Sequence, residues 1–188
     1  MIIGIAGPTA CGKTTVAKML ETEHNAYRTR YSEILATHSK ALGRGTDKAS
    51  LQQMYLEGRE KHGESFVADL MREQLKSVTA ELIVIEGNRR MVDLELLNSL
   101  SEERGEELKL LYIDASPKIR FTRYNQRQQD EGAPIISWEE FIKLEENPAE
   151  DELGLLRNKI KETGCVIDTD NLTKSETCQQ AREFLEIS

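Results

Sequence analysis

GPTACGKTT, residues 7–15, follows the apolar run IIGIA at residues 2–6, and its reading decides the fold. The pattern G-x-x-x-x-G-K-[ST] is met at every fixed position by Gly7, Gly12, Lys13 and Thr14. Such a turn needs an apolar strand before it and a helix after it. Ile2–Ala6 reads as a buried strand of a parallel sheet. Lys13–His24 reads as a helix with Val16, Ala17, Met19 and Leu20 on its inward face.

Outward from that turn, the chain alternates strands with helices. Ala26–Leu35 is ambiguous: its start reads as a short second strand, and Ser32 as the cap of a helix through His38. Leu51–His62 and Ser65–Val78 read as helices separated at Gly63. LIVIEG at Leu82–Gly87 and KLLYIDA at Lys109–Ala115 are apolar strands, and Pro117–Gln129 is a helix. Gly164–Thr169 is a last short strand and Lys174–Leu185 a closing helix. Alternation of this kind predicts a parallel α/β sheet. No repeat or linker divides residues 1–188, so one domain is expected.

Residues 130–152 depart in composition, with nine acids against the single base Lys143. S-W-E-E at Ser137–Glu140 fits a capping box and marks a helix start. The segment about 128–152 reads as a surface insertion, either a solvated acidic helix pair or a lid.

Formal net charge is −8, which argues against a whole-domain affinity for nucleic-acid phosphates and leaves a local basic patch open. An anionic ligand must then be held by a concentrated local site. Three cysteines, Cys11, Cys165 and Cys178, form no C-x-x-C pair, so neither a disulfide framework nor a zinc site is suggested. No run approaches the ~18 apolar residues of a membrane span, and the first residues carry no basic leader. A cytoplasmic protein with no membrane partner is expected.

The turn demands phosphate chemistry. Backbone N–H groups from Gly7 to Thr14, those of Ala10 and Cys11 included, can point at phosphate oxygens, and glycine permits the close approach. Lys13 bridges the outer phosphates, the Thr14 hydroxyl binds magnesium, and Thr15 reaches the inner phosphate. Glu86 closes the strand LIVIEG, at the edge where strand C-termini converge, and is a candidate for holding Mg²⁺ or orienting an acceptor. One of Arg89 and Arg90 is placed to fork an acceptor phosphate. Arg120, Arg123 and Arg127 share one helix face with no carboxylate at the same spacing, which points to an anion among them and to a part in phosphoryl transfer.

These residues resemble the nucleoside monophosphate kinase group of small P-loop kinases, most of all dephospho-CoA kinase and a related archaeal family of predicted nucleotide kinases. The likeness rests on MIIGIAGPTACGKTT, TDKASLQQMYLEGREKHGESFVADLM, LIVIEGNRRMVDLELL and YIDASPKIRFTRYNQR with the acidic segment after it. It implies a three-layer P-loop fold with a five-stranded parallel sheet in the order 2-3-1-4-5 and helices on both faces. It also implies ATP in the glycine loop, an acceptor pocket in the helical region about 32–80, and a lid. By resemblance Arg89 contacts acceptor phosphate and Arg120 lies near the ATP adenine and phosphates. Arg123 or Arg127 reaches the transferring phosphoryl, Arg59 lines the acceptor pocket, and Asn171 passes near the adenine. Two departures stand out. Where the family has a proton-accepting aspartate after its second strand, this chain has Ser32 and Glu33, leaving Glu33 as the acceptor-side carboxylate. Where it has Asp-Gly after the third, this chain has Glu86-Gly87.

The expected activity is magnesium-dependent phosphoryl transfer from ATP to a small-molecule acceptor, foremost a nucleoside or deoxynucleoside monophosphate. Dephospho-CoA or another metabolite is the alternative acceptor. The alternative of another class is an ATPase or switch without an acceptor. A guanine-reading N-K-x-D is absent, the nearest run being RNKIK at residues 157–161.

Overall fold

A computed structural model describes residues 1–146 and 151–187. Residues 147–150 of the acidic segment, and Ser188, lie outside the described residues. Five strands form one parallel sheet: β1 (Ile2–Ala6), β2 (Tyr27–Arg30), β3 (Ile83–Asn88), β4 (Leu108–Asp114) and β5 (Cys165–Asp168). Their spatial order is β2-β3-β1-β4-β5, the order the family resemblance implies. The glycine turn therefore leaves the central strand, between a switch in connection direction on either side, where α/β folds build ligand sites.

The helices are α1 (Lys13–His24), α2 (Tyr31–Ala41), α3 (Lys48–His62), α4 (Phe66–Leu75), α5 (Met91–Arg104), α6 (Pro117–Asp130), α7 (Trp138–Glu145), α8 (Leu153–Thr163) and α9 (Lys174–Leu185). Successive side chains of a strand point to opposite faces, and both faces are covered. Ile3 and Ile5 of β1, with Val84, Leu111 and Ile113, pack under α1 and α9 through Val16, Leu20, Cys178 and Ala181. Ile2 and Ala6, with Ile83 and Ile85, pack under α4, α5 and α8 through Met71, Leu75, Leu97, Leu156 and Ile160. A smaller cluster, Leu35, Met54, Phe66 and Val67, ties α2, α3 and α4 together beside the sheet. Each fully buried aliphatic side chain contributes about 1.5–3 kcal/mol, so two full cores hold the sheet rigid beneath the turn.

Two helices, α5 and α8, were not anticipated from sequence. In α5 Leu94, Leu96, Leu97 and Leu100 are all buried. Burial at positions two apart blurs the 3.6-residue stripe. In α8 the buried residues Leu153, Leu156 and Ile160 do follow a helical stripe, but they begin inside the acidic segment that draws the eye. The capping box at Ser137 is present, with Glu140 N donating to Ser137 Oγ at 3.2 Å and Ser137 N to Glu140 Oε2 at 2.7 Å.

Candidate functional site

Gly7 sits at φ 136°, and a Cβ added there would lie 2.1 Å from the backbone oxygen of Ile113. Any side chain would push the turn away from β4, so this position requires glycine for space and for backbone angle. Gly12 at φ 116° serves as N-cap of α1. Ala10 also takes a left-handed conformation, φ 62°, a local cost that functional loops often carry. Gly12 offers no side-chain cap to the start of α1, and no acid sits in the helix's own first turn. A helix start of this kind suits an anion. The Lys13 ammonium folds back over the turn, donating to Gly7 O at 2.7 Å and Pro8 O at 2.6 Å. Cys11 is fully buried beneath it, Thr14 is exposed and Thr15 half-buried.

Glu86 is 3% exposed and stands opposite Ile5 in the β1–β3 register, two residues before the turn. The register shifts between Ile5 and Ala6, so that Ala6 faces Asn88. Asn88, buried, donates to Ile5 O at 3.1 Å and Ile85 O at 2.8 Å, holding the shift in place. Glu86 Oε1 accepts from Arg28 Nη2 at 2.7 Å, and Arg30 Nη1 lies 3.8 Å away. Glu86 Oε2 is buried without a hydrogen-bond partner among the described residues. An orphaned carboxylate oxygen at this edge, with the exposed Thr14 hydroxyl at the start of α1, fits a hydrated Mg²⁺.

The arginines of α6 divide. The carboxylate that meets them comes from outside the helix: Glu145 of α7 pairs with Arg120. Arg120, 6% exposed, gives both Nη atoms to the two Glu145 oxygens, with Nη2 to Oε2 at 2.9 Å. It also donates to Ala115 O at 2.9 Å and to Thr9 O of the glycine turn at 3.3 Å. Arg123 reaches the same turn, donating to Cys11 O at 3.3 Å, and to Thr169 Oγ1 and O, each at 2.8 Å. Arg127 lies over the Tyr124 ring at 5.3 Å. It stands about 6 Å further along the helix axis than Arg123, one turn beyond the residues that touch the loop. Asn171 is exposed in the turn after β5, two residues beyond Thr169, whose hydroxyl donates to Cys11 O at 3.1 Å.

A second group of cations stands at the ends of β2 and β3. Arg59 of α3 and Arg90 both contact Glu64. Arg90 also donates to Tyr55 Oη at 3.2 Å and pairs with Glu152 at 3.2 Å. Arg59 lies over the Tyr55 ring at 5.2 Å. Arg89, half-buried, leads into α5, and its amide and that of Arg90 donate to Asp93 Oδ2 at 2.8 and 3.0 Å. Burial pushes the Asp93 carboxyl up, against those two hydrogen bonds. Burial, with Asp93 nearby, also holds the Tyr31 phenol well above its usual range. Glu33 is engaged by Arg30 Nε at 2.8 Å.

Arg28, Asn88, Glu145, Glu152 and Thr169 were not singled out in the sequence. Arg28 and Arg30 alternate in YRTR, the spacing that places them on one face of a strand. A recess of about 590 Å³ between Tyr27 and Ala80 opens at the N-terminal end of β2, away from the glycine turn.

Comparison with known proteins agrees with this architecture. A family described as an AAA domain matches residues 3–151. A UPF0200 protein of Pyrobaculum aerophilum is 28% identical over 142 residues, 75% of this chain and 73% of that protein. A UPF0200 protein of Pyrococcus furiosus is 26% identical over 144 residues, covering 76% and 75%. Among solved structures, TT1252 of Thermus thermophilus superposes with TM-score 0.63 at 20% identity, over 99% of this chain and 96% of that one. A candidate kinase of Chloroflexus aurantiacus gives TM-score 0.58 at 18% identity, over 98% and 95%. With its phosphate turn, its sheet order and a match spanning most of its length, the chain belongs to the AAA domain family.

Proposed function

We propose that this protein is an ATP-dependent phosphotransferase whose acceptor is a nucleoside or deoxynucleoside monophosphate. The observation that carries the reading is the convergence of Arg59 and Arg90 on one carboxylate, Glu64, at the strand edge that also bears the glycine turn. Two guanidiniums sharing one carboxylate form a site that a phosphate monoester can take over.

In this reading the turn from Gly7 to Thr15 and the Lys13 ammonium hold the ATP phosphates. Ala10 and Cys11 contribute backbone amides. The Thr14 hydroxyl and Glu86 hold Mg²⁺, which supplies neutralising charge to the outer phosphates. Arg120 and Arg123 stabilise charge on the transferring group, and Arg127 guards the outer end of the same helix. Asn171 borders the adenine. Arg59, Arg89 and Arg90 hold the acceptor phosphate, and Glu33 borders it. An acceptor phosphate oxygen attacks the γ-phosphorus while the bond from that phosphorus to the β–γ bridging oxygen breaks, releasing ADP. A phosphate oxygen is already ionised near neutral pH and needs no general base. That suits an edge where Glu33 is engaged by Arg30 in place of the family's proton-accepting aspartate. The acidic segment about 128–152 covers the site as a lid, excluding water from the transfer.

A coupled assay of ADP release, screening nucleoside and deoxynucleoside monophosphates and dephospho-CoA at fixed ATP and Mg²⁺, tests the proposal. Turnover that depends on a monophosphate supports it. Turnover with dephospho-CoA alone moves the acceptor to that alternative, and hydrolysis indifferent to any acceptor makes the protein an ATPase or switch.

A further inference from the structure

Edge strand β2 carries a cation that is largely withdrawn from solvent. Arg28 pairs with Val84 in the β2–β3 register, and its side chain is 10% exposed. Desolvating a guanidinium is costly unless a partner and hydrogen bonds offset it. The offset here is uneven. Arg28 Nη2 holds Glu86 Oε1 at 2.7 Å, and Nη1 lies 3.5 Å from Glu21 of α1. Arg28 Nε is buried without a hydrogen bond. On the other side of the pair, Glu86 Oε1 has both arginines near it while Oε2 has none. Arginine–carboxylate pairs are frequently bidentate, with two parallel N–H···O bonds. This one fixes one carboxylate oxygen and leaves the other buried without a hydrogen bond among the described residues.

We propose that Arg28 is a positioning residue for the nucleotide's metal. By fastening Oε1 it fixes the Glu86 carboxylate so that Oε2 meets the hydration shell of Mg²⁺ on the bound triphosphate. The inference rests on the reading of Glu86 as a magnesium-side carboxylate. Neighbours that orient a metal-binding group commonly contribute about 10–100-fold in metal affinity. Arg28 touches neither metal nor nucleotide and acts through Glu86 alone.

The test is titration calorimetry of ATP with Mg²⁺ and of ATP with EDTA, on folded protein checked by circular dichroism. The wild type should bind Mg·ATP more tightly than metal-free ATP. Glu86→Gln and Arg28→Met should each reduce that Mg²⁺-dependent gain about tenfold while leaving metal-free affinity within twofold. The double variant should lose no more than either single one. Arg28→Lys, which keeps a donor for Oε1, should recover most of the gain, and it carries the test if Arg28→Met does not fold. A full gain in Glu86→Gln overturns the magnesium reading of Glu86, and this inference with it. A loss in Glu86→Gln beside a full gain in Arg28→Met overturns only the role of Arg28. Equal weakening of metal-free and Mg²⁺-bound ATP in Arg28→Met, or an unrecovered loss in Arg28→Lys, makes the pair plain scaffolding and overturns the inference.

Discussion

Arg120 and Glu145 meet across 25 residues of sequence, both guanidinium Nη atoms on both carboxylate oxygens, and the same guanidinium group touches the phosphate turn at Thr9 O. One side chain thereby joins β4's end, the turn and the acidic segment. Glu145→Gln should destabilise the protein by about 1–3 kcal/mol, since it leaves a buried guanidinium underpaired. Mg·ATP should restore much of the loss by giving Arg120 another anion. Urea melts with and without nucleotide check this; equal stability of variant and wild type would show that the pair contributes nothing.

Lys13→Ala should lower phosphoryl transfer by at least about 100-fold, a typical effect of removing one charge-stabilising group. Its ammonium already stands over the turn on Gly7 O and Pro8 O. Single-turnover rates measure the effect, and an unchanged rate removes Lys13 from the mechanism.

Arg90→Ala should raise the acceptor KM about tenfold or more, the loss of one charge-assisted hydrogen bond, with ATP affinity unchanged. Arg90 is engaged by Glu64, Glu152 and Tyr55, away from the contacts of the turn. Steady-state kinetics at varied acceptor, with ATP binding measured apart, separates the two subsites. Equal loss in both would place Arg90 in general scaffolding.

Burial raises the Asp93 carboxyl above its ordinary value. The folded protein therefore keeps that proton to a higher pH than the unfolded chain, whose value is about 3.9. The contribution to stability is present in full below the unfolded value and is lost as pH rises through the folded one. Asp93→Asn, which cannot ionise, should flatten this decline. Urea midpoints between pH 4 and 7 read it, and parallel wild-type and variant curves would contradict it.

Four of the five strands were legible because each is a short apolar run beside a turn residue. IIGIA and LIVIEG mark themselves; YRTR was ambiguous because its two arginines break the apolar signal of a short edge strand. Glycines at Gly7 and Gly12 disclosed the turn through conformations that only their type adopts readily. Partners across the fold were not legible. Nothing in the spacing of Arg120 points to Glu145, and nothing in YRTR points to Glu86, since these pairs are set by packing 25 and 58 residues apart. Arg120 and Arg127 share a face by periodicity, yet only the start of α6 meets the turn. Periodicity fixes a direction around the axis and not a distance along it.

Titration calorimetry of Mg·ATP onto the wild type and Lys13→Ala tests most directly whether the glycine turn binds a triphosphate. A saturable one-to-one isotherm for the wild type, weakened at least tenfold in the variant, is the expected result. Folded wild-type protein giving no heat with Mg·ATP or Mg·GTP, or a variant that binds as tightly, would contradict the account.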